Sequence, residues 1–293
     1  MSTTGVIAFA GLGAMGLPMA ETLLRKTWSV TGFDVRPEAV ARLEAAGGQG
    51  AASVSEAARN ASALVVMVVN AEQAEQVLFG EDTLAALAPE ALVILMATCA
   101  PGRVAAMAER VEAAKRHFVD APVSGGVAGA KTGSLTVMAA APAAVFEKAK
   151  PILSALGSNL FHLGERAGQG AAMKTVNQLL CGIHIAAAAE GLALAEKLGI
   201  DPALALEILS ESAASSWMLK NRGPRMVADD GHVTSAVDIF VKDLSLVLDA
   251  GRAAKMGLPL AATAHQMFLA ASGLALGGRD DSQVIEVHRK LRK

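Results

Sequence analysis

The stretch Val6-Ile7-Ala8-Phe9-Ala10-Gly11-Leu12-Gly13-Ala14-Met15-Gly16-Leu17-Pro18-Met19-Ala20 decides the fold. An apolar, strand-like segment runs into a Gly-x-Gly-x-x-Gly turn, and a segment with helical periodicity follows. The three glycines permit a tight turn, close approach of the backbone to a pyrophosphate, and close packing of helix on strand. Because the start of a helix attracts anions, the pattern predicts a dinucleotide site. Its turn consists of Gly11, Leu12, Gly13, Ala14, Met15 and Gly16.

An acid stands where such a site expects one. Asp34 ends the next strand-like run, which begins at Trp28, and it follows Gly16 by eighteen residues. An acid at about this distance accepts hydrogen bonds from the adenosine ribose. The alternative is that Asp34 only caps a turn. Because Asp34 would repel a 2′-phosphate, we expect NAD as the cofactor, while Arg36 leaves NADP open.

Composition narrows the class of protein. The chain has 293 residues, enough for about two domains, with 53% hydrophobic residues, 18% charged residues and a formal net charge of −2. Nothing in this balance favours nucleic acid or an anionic membrane as a partner. The two cysteines, Cys99 and Cys181, form no disulfide framework. We therefore expect a cytoplasmic protein.

The pattern along the chain predicts two domains. Up to Gly164, apolar strands alternate with helices, which is typical of an α/β Rossmann-type domain over residues 1–164 with a mostly parallel sheet. Predicted strands include 63–69, 91–97, 118–123, 134–140 and 159–163. The rest reads as an all-α domain over residues 165–293, joined through a long interdomain helix over 168–198, and it includes a short predicted helix over 218–222. Such a junction makes a ligand cleft. Charged residues interrupt the apolar part of the long helix, so we interpret it as a helix of a soluble protein rather than a membrane span.

Four loops follow strand ends, where α/β sheets bind ligands. They contain Val69 and Asn70, then Thr98, then Ser124-Gly125-Gly126, and finally the start of the long helix. Ser124, Gly125 and Gly126 offer a hydroxyl and unobstructed backbone amides, which suit a substrate carboxylate. Ordinary solvated loops are the alternative for each.

Two lysines stand in apolar helical surroundings. Lys174 and Asn177 are three residues apart and share a helix face. Since burial disfavours a charged ammonium, Lys174 is a candidate acid/base group, although a surface lysine with a buried stem is an equal alternative. Lys242 either pairs with Asp238 or Asp243 or reaches into the cleft. The six histidines lie at no metal-ligand spacing, so we expect no metal.

Four motifs in order resemble the β-hydroxyacid dehydrogenase family, which includes 3-hydroxyisobutyrate, tartronate-semialdehyde and threonate dehydrogenases. They are the glycine turn 11–16, Asp120 to Gly126, the run from Gly164 to Asn177, and Lys242-Asp243-Leu244. The resemblance covers the whole chain. It implies an oxidoreductase that moves a hydride between a hydroxy acid and a nicotinamide dinucleotide, on a Rossmann fold followed by a helical domain that serves substrate binding and oligomerisation.

The resemblance also implies roles for single residues. Lys174 is similar to the catalytic lysine, Asn177 to the substrate-orienting amide, and Ser124-Gly125-Gly126 to the carboxylate loop. Thr98 is similar to a cofactor-contacting residue, although Ala97 and Cys99 replace hydroxyl residues that are frequent beside it. Lys242 resembles the lysine that closes onto the cofactor, with Phe240 beside the nicotinamide. Val69 and Asn70 complete the expected cofactor-binding set.

Several stretches are most similar to the family branch that oxidises the sugar acid L-threonate, among them residues 76–80, 184–187, 216–218, 235–240 and 280–282. The expected reaction is therefore NAD-dependent oxidation of L-threonate to its 2-oxo acid. Alternatives are a 3-hydroxyisobutyrate, tartronate-semialdehyde or succinic-semialdehyde type reductase, and a non-catalytic NAD sensor. An imine reductase is disfavoured because those enzymes usually lack the lysine. The resemblance implies a homodimer or homotetramer.

Overall fold

The computed structural model describes residues 5–228 and 230–290. It separates into two compact units, one running up to Lys174 and the other starting at Thr175. The first unit is α/β and the second is helical, with one long helix running from the first into the second. The predicted fold class is therefore confirmed. The boundary predicted after Gly164 stays a prediction, because the long helix belongs to both units.

A nine-stranded sheet forms the middle of the first unit. Its strands are β1 Ile7–Ala10, β2 Val30–Phe33, β3 Gln49–Gly50, β4 Ala63–Val66, β5 Leu92–Leu95, β6 His117–Asp120, β7 Val123–Ser124, β8 Thr136–Ala140 and β9 Asn159–Gly164. Their order is β3-β2-β1-β4-β5-β6-β8-β7, with β9 also paired to β8. The first six strands of this spatial order, β3, β2, β1, β4, β5 and β6, are parallel to one another. Strand β8 runs antiparallel to β6 and β7. The order reverses between β1 and β4, the position at which such sheets bind dinucleotides.

Helices cover both faces of this sheet. They are α1 Gly16–Arg25, α2 Pro37–Ala45, α3 Val54–Ala58, α4 Ala71–Phe79, α5 Thr83–Ala86, α6 Pro101–Ala113, α7 Gly126–Thr132 and α8 Ala143–Leu156. Alternate residues of a strand point to opposite faces. Accordingly, Ile7 and Phe9 of β1 enter one hydrophobic core, while Ala8 and Ala10 enter a second core on the other face. All four β1 residues are buried, which is why this strand lacks an apolar–polar alternation.

The second unit is built around a third core. Its helices are α9 Gln169–Lys197, which begins in the first unit, α10 Pro202–Glu211, α11 Trp217–Val227, α12 Val237–Ala253, α13 Pro259–Ala271 and α14 Ile285–Lys290. A π-helical turn, Ser272–Leu276, and a 3₁₀ turn, Asp281–Val284, lie between α13 and α14. Gly182 lets α9 approach α12 closely, because a Cβ at Gly182 would lie 2.7 Å from the Leu244 side chain.

Two predicted elements differ from the observed ones. The predicted strand 118–123 is interrupted at Ala121-Pro122, and the chain resumes as β7 in a new, antiparallel pairing with β8. The predicted helix 218–222 continues to Val227 as α11, through Pro224. Gly223, which precedes this proline, lacks the Cβ that clashes with a following proline ring in helical conformation. It also leaves room for Leu206, which a Cβ at Gly223 would approach within 2.3 Å.

Helix α9 is long and apolar enough, by length and composition, to cross a membrane. Two of its polar residues, Gln178 and Glu196, nevertheless have protein partners. Gln178 donates a hydrogen bond to Asp243, and Glu196 accepts hydrogen bonds from Arg289. We therefore interpret α9 as a core helix of the second unit, as the interrupted apolar pattern predicts.

Candidate active site

The glycine turn joins the end of β1 to α1. Gly11 has φ +93°, and a Cβ there would lie 2.3 Å from the Met67 carbonyl oxygen. A Cβ on Gly16 would lie 1.8 Å from the Gly11 carbonyl oxygen. At Gly13, by contrast, the nearest atom to an added Cβ would be Arg36 Nη2 at 3.7 Å. Gly11 and Gly16 are therefore required by packing, and Gly13 keeps an open approach to the backbone.

The first turn of α1 fits an anionic cofactor group. No side chain caps this helix at Met15, and no acid lies in its first turn. Its N–H groups are therefore not masked by a carboxylate, which is the condition for binding a phosphate at a helix start. Together with the open face of Gly13, this turn fits the pyrophosphate of a dinucleotide.

Asp34 lies beside the glycine turn. Leu12 N–H donates to Asp34 Oδ2 at 2.7 Å, and Arg36 donates to Oδ1 from its backbone N–H and from Nε at 2.9 and 3.1 Å. Burial alone would raise the pKa of Asp34, but these hydrogen bonds outweigh it and hold the pKa below its usual value. The acid is therefore ionised at neutral pH, and it is hydrogen-bonded to Leu12, the residue between Gly11 and Gly13.

Two more loops lie at the same edge of the sheet, because β1, β4 and β5 are adjacent and parallel. After β4, Val69 is exposed and Asn70 caps α4, accepting a hydrogen bond from Gln73 N–H at 2.9 Å. After β5, Thr98 is half-buried in the loop before α6. Because the Asn70 side-chain oxygen caps α4, mainly its side-chain NH₂ group remains for a ligand.

The loop Ser124-Gly125-Gly126 connects β7 to α7. Gly125 and Gly126 have φ +126° and +62°, conformations that side chains rarely adopt. A Cβ on Gly126 would meet no atom within 4 Å, and no side chain caps the start of α7. The loop is half-buried, and no described side chain covers its glycine backbone at Gly126, beside the Ser124 hydroxyl, as expected for a carboxylate-binding segment.

Lys174 lies in the second turn of α9 and is only 8% exposed. The start of this helix is held by Asp120, the last residue of β6, which is 1% exposed. Asp120 Oδ2 accepts hydrogen bonds from Gly168 N–H at 2.8 Å and Ala171 N–H at 3.0 Å. Burial raises the pKa of Asp120 to about 6, against the opposing effect of backbone N–H groups of Ala171, Gly168 and Gly170.

Two candidate residues of the second unit, Asn177 and Lys242, belong to one hydrogen-bonded chain. Asn177 Nδ2 donates to Gln178 Oε1 at 2.9 Å, and Gln178 Nε2 donates to Asp243 Oδ2 at 2.5 Å. Lys242 Nζ donates to Asp243 Oδ1 at 2.5 Å, so the lysine makes the ion pair that its spacing allowed. Phe240 is 3% exposed and stacks on Phe268 in the core. Its contact with a nicotinamide stays a prediction.

Two residues with clear site geometry, Asp120 and Gln178, had no predicted role, and Asp243 was predicted only as a possible ion-pair partner of Lys242. Asp120 and Asp243 stand inside motifs that the sequence singles out, and Gln178 directly follows Asn177. Their partners lie 48 to 65 residues away in the chain, so spacing alone gives no signal of the pairing.

Two family models together match almost the whole chain. Residues 6–164 match a model described as the NAD binding domain of 6-phosphogluconate dehydrogenase. Residues 168–288 match a model described as NAD-binding of NADP-dependent 3-hydroxyisobutyrate dehydrogenase.

Similar proteins carry related names. An L-threonate dehydrogenase of Cupriavidus necator is 45% identical over 282 residues, covering 96% of this chain and 95% of that protein. Another from Pectobacterium atrosepticum is 40% identical, covering 96% and 93%. A crystal structure described as 3-hydroxyisobutyrate dehydrogenase from Salmonella typhimurium is 41% identical with a TM-score of 0.92, covering 97% of this chain and 99% of that one.

Proposed function

The chain belongs to the β-hydroxyacid dehydrogenase family, and we propose that it oxidises L-threonate to its 2-oxo acid. It is an NAD(P)-dependent hydroxyacid dehydrogenase. The bound dinucleotide supplies the acceptor for the hydride that leaves the hydroxyl-bearing carbon. The substrate and the roles of single residues are our proposals.

One observation carries the substrate proposal. Proteins named L-threonate dehydrogenase resemble this chain over nearly their full length, so the similarity includes both units. The similar structure described as a 3-hydroxyisobutyrate dehydrogenase makes that hydroxy acid the substrate to compare.

Lys174 is the general base of the proposed reaction. Its neutral amine takes the proton of the substrate hydroxyl while the hydride leaves the same carbon, and in reverse its ammonium returns that proton. Its burial supports this role, because loss of hydration disfavours the charged ammonium. Ser124, Gly125 and Gly126 bind the carboxylate, and Asn177 orients the hydroxyls.

A lysine substitution tests the role of the base. In Lys174→Met the stem length is kept and the amine is lost, so kcat falls about 10² to 10⁴-fold while the cofactor dissociation constant stays within twofold. Lys150→Met is the matched control, since Lys150 is exposed and pairs only with Glu147 among the contacts described. A kcat for Lys174→Met within threefold of wild type contradicts the proposal.

A substrate panel tests the activity itself. NADH formation is measured with L-threonate, D-threonate, glycerate and 3-hydroxyisobutyrate, each under NAD and NADP. We expect the highest kcat/KM with L-threonate and NAD. A higher value with 3-hydroxyisobutyrate overturns the substrate proposal, and tight NAD binding without turnover of any acid favours a sensor.

The cofactor preference rests on Asp34. Its ionised carboxylate beside the glycine turn disfavours a 2′-phosphate, so we propose NAD rather than NADP. Asp34→Ala frees Arg36 for a phosphate, and the ratio of kcat/KM for NAD over NADP is expected to fall at least tenfold. Val69, Asn70, Thr98, Phe240 and Lys242 complete the proposed cofactor contacts. An unchanged ratio means that Asp34 does not discriminate.

An exposed apolar surface supports self-association. Large side chains on α9, α10 and their connection are exposed, namely Leu194, Leu198, Ile200, Leu204 and Ile208. We propose that this surface joins copies of the chain into a homodimer or homotetramer in the cytoplasm, where the thiols of Cys99 and Cys181 stay reduced. Light scattering after size exclusion tests this. The double variant Leu204→Asp, Ile208→Asp is expected to be monomeric, and an unchanged mass assigns the contact elsewhere.

A further inference from the structure

Helix α9 begins without a capping side chain of its own. The residue before it, Gly168, has φ +96°, and a Cβ there would lie 2.9 Å from the Pro101 carbonyl oxygen. Glycine is therefore needed at this position, and it has no side chain to accept the N–H groups of the first turn. The buried carboxylate of Asp120 accepts two of them, from Gly168 and Ala171.

The anchored groups lie on the face of α9 that carries Lys174. Gly168, Ala171 and Lys174 are spaced by three residues, so they follow one another along one side of the helix. Ala171 and Lys174 are both buried. Gly170 adds to the anchoring, because a Cβ there would lie 2.5 Å from the Met138 carbonyl oxygen and 2.9 Å from that of Asp120. The turn before Lys174 is thus seated directly on β6 and β8.

Asp120 also begins the segment that leads to the carboxylate loop. It is the last residue of β6, and Ser124, Gly125 and Gly126 follow after three intervening residues. On the neighbouring strands its register partners are Leu95 and Ala140, both apolar. One buried side chain therefore ties the backbone that presents the carboxylate loop to the turn that presents the lysine.

We propose that Asp120 is a positioning residue, which sets Lys174 relative to the loop Ser124–Gly126. The inference rests on the proposed roles of that lysine and that loop. A displacement of about 1 Å between reacting groups is enough to cost roughly 10²-fold in rate. The proposed positioning requires a carboxylate at Asp120, since the two N–H groups at the helix start bind an anion more strongly than a neutral acceptor.

Asp120→Asn keeps the size and one acceptor oxygen but removes the charge. We expect kcat with the hydroxy acid of highest wild-type kcat/KM to fall at least tenfold, the cofactor dissociation constant to stay within twofold, and amide hydrogen exchange in residues 168–174 to quicken at least tenfold. The matched control is Thr22→Val, which removes another buried hydrogen bond of the same unit, from Thr22 Oγ1 to the Ala130 carbonyl at 2.8 Å. We expect this control to keep wild-type kcat and wild-type exchange in residues 168–174.

The outcomes separate this inference from the function on which it rests. If Asp120→Asn keeps wild-type kcat, or loses no more of it than Thr22→Val, Asp120 is a structural residue only and the inference fails. If the wild type turns over no hydroxy acid, the proposed function fails. In that case the hydrogen-exchange measurement alone tests whether Asp120 anchors the start of α9. Unchanged protection of residues 168–174 in Asp120→Asn overturns the anchoring.

Discussion

Asp120 in the first unit and Asp280 in the second are almost equally buried, yet the pKa is raised in one carboxyl group and lowered in the other. Asp120 accepts backbone N–H groups of Gly168 and Ala171, and burial raises its pKa to about 6. Burial also acts to raise the pKa of Asp280. There, Thr234 N–H, the Arg225 guanidinium and Ser282 outweigh burial and hold the pKa well below the usual range.

The difference shows what decides the charge of a buried acid. Asp281, beside Asp280, is fully buried, and burial raises its pKa in spite of two hydrogen bonds from Arg222 at 2.7 and 2.9 Å. Desolvation and the donors around the carboxylate thus compete at each site, and neither burial nor a nearby arginine predicts the result alone. Breaking each contact separately tests this balance.

The largest effect is expected at the buried ion pair of Arg222 and Asp281. Arg222→Met leaves the Asp281 carboxylate without its guanidinium partner, so the free energy of unfolding of the second unit falls by about 3–5 kcal/mol at pH 7. The chain has two tryptophans, Trp28 in the first unit and Trp217 in the second. Urea unfolding is therefore followed by Trp217 fluorescence in a Trp28→Phe background.

An exposed ion pair on α12 serves as the control for this buried pair. Arg252 pairs with Asp249 on the surface of α12, and Arg252→Met should cost no more than about 1 kcal/mol. Equal losses for the two variants would mean that burial of the Arg222–Asp281 pair is energetically irrelevant.

Titration of Asp120 is expected to change the free energy of unfolding of the first unit by roughly 3 kcal/mol. Because its folded pKa exceeds the unfolded value of about 4, the folded state holds the proton more tightly, and this group stabilises the first unit as pH falls from 6 to 4. Asp120→Asn lacks this titration. Its unfolding free energy, read from Trp28 in a Trp217→Phe background, should drop relative to wild type as the pH is lowered over that range. Parallel pH curves for the two proteins contradict the raised pKa.

The smallest loss of stability is expected from replacing Arg225, whose side chain is 15% exposed. Arg225→Met removes a charge-assisted hydrogen bond to Asp280 and costs about 1.5–3 kcal/mol at pH 7. Since the pKa of Asp280 is lowered in the folded state, the stability it contributes is present above about pH 4 and lost as the pH falls further. The gap between wild type and Arg225→Met, read from Trp217, should therefore narrow below pH 4. A constant gap would assign the loss to packing.

Two helix starts show how far the sequence predicts the candidate site. Asn70 caps α4 through Gln73, three residues on, and such a local contact follows from residue types and spacing. Asp120 caps α9 across 48 residues, and Gln178 reaches Asp243 across 65. These pairs depend on which strand and which helix become neighbours, which no short-range spacing encodes.

The sequence alone determined the dinucleotide turn, the alternating first half and the helical second half. These features rest on backbone conformation, on continuous apolar runs of strand length and on the helical periodicity of 3.6 residues, which are local properties of the chain. Tertiary structure alone decided that Gly11 and Gly16 are packing glycines while Gly13 stays open, that Lys242 pairs with Asp243, and that Asp120 anchors the helix of Lys174. Those outcomes depend on which groups share a desolvated space, because only there does an added Cβ or an unpaired charge carry a large free-energy cost.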